Sequence, residues 1–341
     1  MNKIFKKYNL KLLTLGPVHI GDGHTYTKKE FIYENNAFYF PDMGKLYQYI
    51  ENKGPKYTEN FENYLLKSDK SADRLVNLLN SLRISERTFG GYSIKRTGFE
   101  SESVGNDRRG NVTNIDSFIK NAFYEPYIPG SSLKGALRTI LCNEHFKTDD
   151  IPWGARNKVA FDDVFHNIRI SDSKPFAIDD LILSQKIDYS TRKAQINAIN
   201  VYRESIKPRT VINFTITCEG DQAIQLMEQL EKVAKDYYKH YMKYFLGELQ
   251  EEYRQDFNLG KIVYLGAGSG FWTKTIIDQA DPKRFQQSKG KIKMVGKGVH
   301  KLTKAAPTVI TTKNRNINLM SAEGYYEMGK CYFELKELSS I

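Results

Sequence analysis

Two glycine-bearing segments hold the residue types best suited to gripping an anion. The first is Tyr127–Arg138 (YIPGSSLKGALR), where the turn Gly130-Ser131-Ser132 opens a helix carrying Lys134 and Arg138 four residues apart on one face. Free backbone N–H groups at a helix start, the helix dipole and two cations together favour a phosphate. Gly130 and Gly135 permit close backbone approach. The same residues equally suit a serine-capped helix with two bases facing water.

The second is Ile262–Thr275 (IVYLGAGSGFWTKT), a strand running into Gly266, Gly268 and Gly270, with Lys274 just beyond. G-x-G-x-G after a strand invites a nucleotide site or an S-adenosylmethionine-dependent methyltransferase. Only 71 residues follow Gly270, too few for the remaining βα units, and the stretch that should supply an acidic ribose partner is rich in lysine. The alternative is a loop whose amides, with Lys274, meet a phosphodiester backbone.

Catalytic types are sparser. His19 and His24 bracket Gly21-Asp22-Gly23 and are the candidates for acid/base cleavage of RNA, which keeps an endoribonuclease as an alternative. His145, His166, His240 and His300 are scattered, and no HxxxH spacing or carboxylate cluster calls for a metal. Asp162-Asp163 and Asp179-Asp180 are adjacent pairs, which in strands point to opposite faces. No acid is paired with a base, so the expectation is a protein that is not an enzyme and needs no cofactor.

Charge is localised. The 341 residues carry 51 Lys+Arg against 40 Asp+Glu, a formal net charge of +11. Between Pro282 and Arg315 there are ten basic residues, Lys291, Lys293 and Lys297 among them, and no acid. Concentrated positive charge points to a polyanion better than a high pI does; a solvated lysine-rich loop is the plainer reading. Cys142, Cys218 and Cys331 are odd in number and far apart, which suits neither a disulfide framework nor a structural zinc. Lys11 splits the only apolar run near the start, and no stretch approaches a membrane span. The expectation is a soluble cytoplasmic protein.

The elements that must position these residues read as α+β. Tyr8–Ile20 alternates as a strand and ends in the turn Gly21-Asp22-Gly23; Phe31–Phe40 is a hairpin around Asn35-Asn36. Apolar residues at helical spacing run from Phe61 to Leu82, with a break at Ser68-Asp69. Ile84–Lys120 is polar and aperiodic, an insertion. Ser132–Phe146 is a helix capped by Ser131 or Ser132. Val159–Ile170, Asp180–Leu183 and Val211–Cys218 are strands; Asp221–Phe257 is one long helix; Lys261–Leu265 and Lys330–Leu335 are strands. The order is that of β-α-β-β-α-β units.

YIPGSSLKGALRTIL resembles the helix-opening motif of the RAMP superfamily, the repeat-associated proteins of CRISPR effector complexes. Leu15–Gly23 (LGPVHIGDG) looks like the first strand and turn of such proteins. Val201–Thr217 (VYRESIKPRTVINFTIT) resembles their E-x-V-P-x-G-T approach to a strand, with Arg209 where glycine is usual. Leu265–Thr275 resembles their C-terminal glycine-rich loop. The combination looks most like the type III-A (Csm) subunit that caps the 3′ end of the guide.

The resemblance implies two ferredoxin-like, RRM-like domains with insertions. Residues 1–200 would hold the first, with a helical and loop insertion at about 45–120; residues 201–341 would hold the second, with the glycine-rich loop and the basic segment 282–315. It implies guide RNA (crRNA), the backbone RAMP subunit, other Csm subunits and host nucleases as partners, and support of 3′ maturation rather than cutting. The related backbone subunits cleave target RNA with an aspartate in an early loop; Asp22 follows strand one but is not equated with it. The RNA-binding candidates are Gly130, Ser131, Ser132, Lys134, Arg138, Gly266, Gly268, Gly270, Lys274, Lys291, Lys293 and Lys297. Guides differ in sequence, so the grip must be on backbone and shape. Phe271 and Trp272 are candidates for base stacking, with core packing the alternative for Trp272.

Overall fold

Strand β1 (Phe5–Thr14) alternates as the sequence suggests: Tyr8, Leu10, Leu12 and Thr14 are buried on one face. In this computed structural model, which describes residues 4–67, 74–95, 112–144, 163–190, 195–244, 260–269, 272–274, 299–304, 309–312, 315–318 and 325–338, the architecture is mixed α+β.

Two long-range antiparallel pairings flank β1. On one side Leu10 and Leu12 face Phe214 and Ile212; on the other they face Leu335 and Phe333. The strands that follow β1 are β2 (Gly21–Thr27), β3 (Ile32–Glu34), β4 (Ala37–Phe40), β5 (Tyr92–Lys95), β6 (Asn114–Phe118), β7 (Ile168–Ile170), β8 (Leu181–Ser190), β9 (Gln195–Ile206), β10 (Val211–Glu219) and β11 (Ile262–Tyr264). The last are β12 (Val299–Lys304), β13 (Val309–Thr312), β14 (Arg315–Asn318), β15 (Tyr325–Glu327) and β16 (Lys330–Glu337).

The central sheet has the order β11-β16-β1-β10-β7, antiparallel throughout. Helix α4 (Gly130–Glu144) falls between β1 and β7 in the chain, and α5 (Asp221–Glu228) with α6 (Leu230–Tyr244) between β10 and β11. The order β16-β1-β10-β7 with those helices is that of a β-α-β-β-α-β unit. Its strands come from both sides of residue 200. Leu133, Leu137, Ile140 and Leu141 of α4, Ala234 and Tyr237 of α6, and the inward row of β1 share one core.

A six-stranded sheet, β15-β12-β8-β9-β6-β2, lies alongside, with β6 parallel to β9. The hairpin β3–β4, extended by β5, carries α1 (Met43–Glu51), α2 (Pro55–Leu66) and α3 (Leu75–Ser81) over a second core that includes Leu46, Ile50, Phe61 and Leu79. Asn35 and Asn36 both have positive φ, as a two-residue hairpin turn needs. Lys29 docks this region by donating to the carbonyls of Leu65 and Lys67 at the end of α2.

Several expectations are corrected. Strand β1 stops at Thr14, because the amides of Leu15 and Gly16 both turn to the Lys330 carbonyl (2.9 and 3.1 Å) and Pro17 has none to offer. Gly21-Asp22-Gly23 opens β2 instead of forming a turn. That strand is almost wholly exposed, so it carries no apolar alternation to announce it. Val164–Asn167 is a 3-10 turn capped by Asp163, whose Oδ1 accepts from the Phe165 amide (3.0 Å), so within the described part of the expected Val159–Ile170 strand, which starts at residue 163, only Ile168–Ile170 is strand. The helix from Asp221 is interrupted at Gln229. Apolar spacing runs straight through that break and hides it. Ser68-Asp69, residues 96–111 of the Ile84–Lys120 insertion and positions 245–257 lie outside the described residues; the rest of that insertion supplies β5 and β6.

Candidate nucleic-acid interface

Helix α4 begins at Gly130, and its first amide is not capped by serine. Asp172 Oδ1 accepts from the Gly130 N–H at 2.8 Å. A Cβ on Gly130 would fall 2.2 Å from the Ile170 carbonyl oxygen, so only glycine lets the helix start press onto β7. Part of the expected anion position is therefore filled from within by a carboxylate. Ser131 is exposed and Ser132 half-buried in the first turn. Gly135 faces open space.

The two cations of α4 have different surroundings. Arg138 donates to Asp163 Oδ2 (2.7 Å), and its guanidinium lies 4.5 Å from the centre of the Phe165 ring. Lys134 has no hydrogen-bond or ion-pair partner among the described residues. Partial burial lowers its pKa; Asp163 opposes the shift and Arg138 reinforces it.

The glycine-rich loop is built by close backbone approach. Gly266 has φ +75°, and a Cβ there would sit 2.0 Å from the His19 carbonyl oxygen. Ala267 N–H donates to that same carbonyl (2.9 Å), and Leu265 N–H to the Gly329 carbonyl (2.9 Å). These two amides are thus engaged by the protein itself. Gly268 abuts Met328. Below the loop Lys330 forms a buried ion pair with Glu327, which also accepts from Tyr264 Oη at 2.8 Å. Burial, the largest single influence, would lower the Lys330 pKa, but Glu327 and Tyr238 together outweigh it and the net shift is upward.

After the loop, Trp272–Lys274 is a 3-10 turn that packs against α4. The two sequence-predicted segments, whose nearest ends Arg138 and Ile262 are 124 positions apart, thereby adjoin. Lys274 is exposed, with no hydrogen-bond or ion-pair partner among the described residues. Its pKa is lowered first by burial of part of its stem and then by the positive charge of Arg203. Arg203 in turn lies with Nε 3.3 Å from Asp116 Oδ2. Strand β11, which leads into the loop, pairs antiparallel with β16, and among the described residues it has no parallel partner. That pairing departs from the parallel sheet on which a Rossmann-type methyltransferase site is built.

The histidine candidates separate. His19 is buried, with Nδ1 2.6 Å from the Glu204 carbonyl oxygen, and burial lowers its pKa to about 4. It is neutral at pH 7 and withdrawn from any polyanion. His24 is exposed, with Nε2 3.1 Å from Glu30 Oε1. Asp22 accepts from the His24 amide (2.9 Å) and from Ser117 Oγ (3.0 Å). Among the described residues no group of three or more His, Cys, Asp or Glu is placed to hold a metal, and no helix is long and apolar enough to cross a membrane.

Sequence reasoning missed Glu204. It is fully buried; Oε1 accepts from Tyr92 Oη (2.6 Å) and Oε2 from the Phe118 amide (2.7 Å) and Lys120 Nζ. The signal was the glutamate in VYRESIKPRT, legible only as part of a family motif. Arg209 of the same motif has φ +75°, so the turn keeps the left-handed backbone that a glycine would adopt. Gly270, Phe271, Lys291, Lys293 and Lys297 lie outside the described residues, as does the side chain of Trp272. The basic segment does contribute β12, β13 and the start of β14.

The RAMP superfamily profile matches residues 11–295. The chain belongs to the RAMP superfamily, the class its helix-opening motif and glycine-rich loop resemble. It is 45% identical to the CRISPR system Cms protein Csm5 of Streptococcus thermophilus over 361 residues, covering 99% of each chain. That identity places it in the Csm5 family of type III-A CRISPR systems. The protein of the same name from Enterococcus italicus is 28% identical over 98% of this chain and 99% of its own. Two solved structures share the fold. One is the crystal structure of T. onnurineus Csm5, with a TM-score of 0.56, 17% identity, and 94% of this chain and 99% of that one covered. The other is a chain of the Csm-crRNA-target RNA ternary complex of a type III-A system, with a TM-score of 0.62, 16% identity, and 97% and 100% covered.

Proposed function

We propose that the chain is an RNA-binding structural subunit of the type III-A interference complex, holding the 3′ region of the crRNA. It supports guide maturation and complex assembly in antiviral defence without a catalytic site of its own, and any trimming is done by recruited host nucleases. One observation carries the reading. Lys134 on α4 and Lys274 after the glycine-rich loop stand on adjoining elements, neither makes an ion pair among the described residues, and burial lowers the pKa of both, with Asp163 opposing the shift of Lys134 as a nearby charge. Cations not tied up in a direct ion pair are available to a phosphate backbone. Such contacts ignore base identity, as a holder of varied guides requires.

The fold shared with a chain of a Csm-crRNA-target RNA complex supports the same assignment. The burial and neutrality of His19 weigh against the endoribonuclease alternative. Purifying the chain from cells that express the full set of Csm proteins, then identifying what accompanies it, tests the proposal. Guide RNA with Csm subunits is the expected outcome; a chain recovered free of both contradicts it.

A further inference from the structure

The turn between β6 and α4, residues Asn121–Glu125, presents Phe123 with 81% of its surface exposed. The turn is firmly tied. Asn121 Oδ1 accepts from the amides of Phe123 (2.9 Å) and Glu125 (3.0 Å), and Asn121 Nδ2 donates to Glu125 Oε2 (2.7 Å). The Tyr124 amide donates to the Asn121 carbonyl (3.1 Å), and Lys120 bridges to Pro126 across the base. Tyr124 holds φ +63°, a left-handed conformation costly for a bulky residue.

The base of the turn is fixed to the interior. Lys120 Nζ bonds to the Phe118 carbonyl (3.0 Å) and pairs with buried Glu204, while the Tyr124 ring packs 5.7 Å from that of Tyr92. A flexible surface loop needs none of this. The arrangement fixes the backbone beneath an apolar ring exposed to water and bears the backbone strain of doing so. Pre-organised aromatic side chains of this kind are what interface pockets receive.

The occupant is read from charge. The ionised side chain on the turn is Glu125, Tyr124 leans on Asp42, and Lys120 is buried and paired. A phosphate backbone would meet carboxylates here, whereas a protein pocket lined by apolar groups and rimmed by basic ones is complementary. We propose that Phe123 is an anchor for a neighbouring protein subunit, inserting into an apolar pocket with a basic rim. This rests on the reading that the chain works inside a multi-subunit assembly.

The test co-expresses the remaining Csm subunits and guide, one of those subunits tagged, with the wild-type chain, Phe123→Ala or Phe123→Trp. The amount of chain carried along is measured at limiting concentration. The wild type joins, Phe123→Ala is retained at least about tenfold more weakly, and Phe123→Trp keeps most of the binding. Free Phe123→Ala melts at or above the wild-type temperature, since it removes only an exposed apolar ring, so the loss is not one of folding. If the wild type joins and Phe123→Ala joins equally well, the anchor is wrong while the assembly reading stands. If Phe123→Ala joins normally but the free chain loses affinity for single-stranded guide RNA, the ring is a base-stacking platform and the proposal is overturned. If the wild type itself stays out, the functional reading falls, and the anchor with it.

Discussion

Gly266 and His19 meet backbone to backbone: a Cβ on the glycine would lie 2.0 Å from the histidine's carbonyl oxygen, which already accepts the Ala267 amide. The glycine-rich loop therefore owes its shape to the segment it rests on. The contact ties the loop to the stretch His19–Ile20 that leads into β2, and so to the six-stranded sheet.

Gly266→Ala should accordingly be severely destabilising. It adds a clash with immovable backbone to the strain of φ +75°. Gly135→Ala is the contrast, because it sits within α4 facing open space and should gain about 1 kcal/mol from helix propensity. Thermal melts of the two variants should move in opposite directions.

The His19 ring gives the fold an acid limb. Its folded pKa is about 4, against an ordinary value of 6.5. The unfolded chain takes up the proton that the buried ring refuses, so this contribution is intact above pH 6.5 and is lost progressively as pH falls toward 4. The full loss is roughly 3 kcal/mol at about 1.4 kcal/mol per unit. Denaturation of His19→Gln at a series of pH values should lack that limb.

Glu204→Gln should cost about 3–5 kcal/mol, because Lys120 would be left buried without its counter-charge. Adding Lys120→Met should recover part of the loss, since an apolar side chain leaves no charge uncompensated. Urea titration of the single and double variants measures both.

Arg209→Gly should stabilise by about 0.5 kcal/mol, the relief of a left-handed L-residue exceeding the extra chain entropy of glycine. Its amide bond to the Thr14 carbonyl (2.8 Å) is unaffected by the change. A shift in melting temperature reports it.

These positions show what the sequence could and could not disclose. Local patterns carried β1, the Asn35-Asn36 hairpin, β10 and α4, because alternation, turn chemistry and an apolar stripe are visible within a dozen residues. The pairing of β1 with strands some 200 and 320 residues later has no local sign. The polar edge strand β2 has no apolar face to reveal it. At the interface, the Lys134 and Lys274 segments were legible as motifs, but their adjacency was not. Nor was the capture of Arg138 by Asp163, although that aspartate stood in view as half of an adjacent pair. Glu204 and Lys120, 84 residues apart, form a buried unit that composition cannot suggest.

The central claim is that Lys134 and Lys274 grip guide backbone. The direct measurement is the affinity of the chain for a single-stranded RNA matching the 3′ region of the guide, taken over a range of salt concentrations, for wild type and the Lys134→Ala/Lys274→Ala double variant. Each single-strand phosphate contact adds about 0.7 to the slope of log affinity on log salt. The account predicts weaker binding and a slope shallower by roughly 1.4 for the double variant. An unchanged slope and affinity in a variant that melts like the wild type would contradict it.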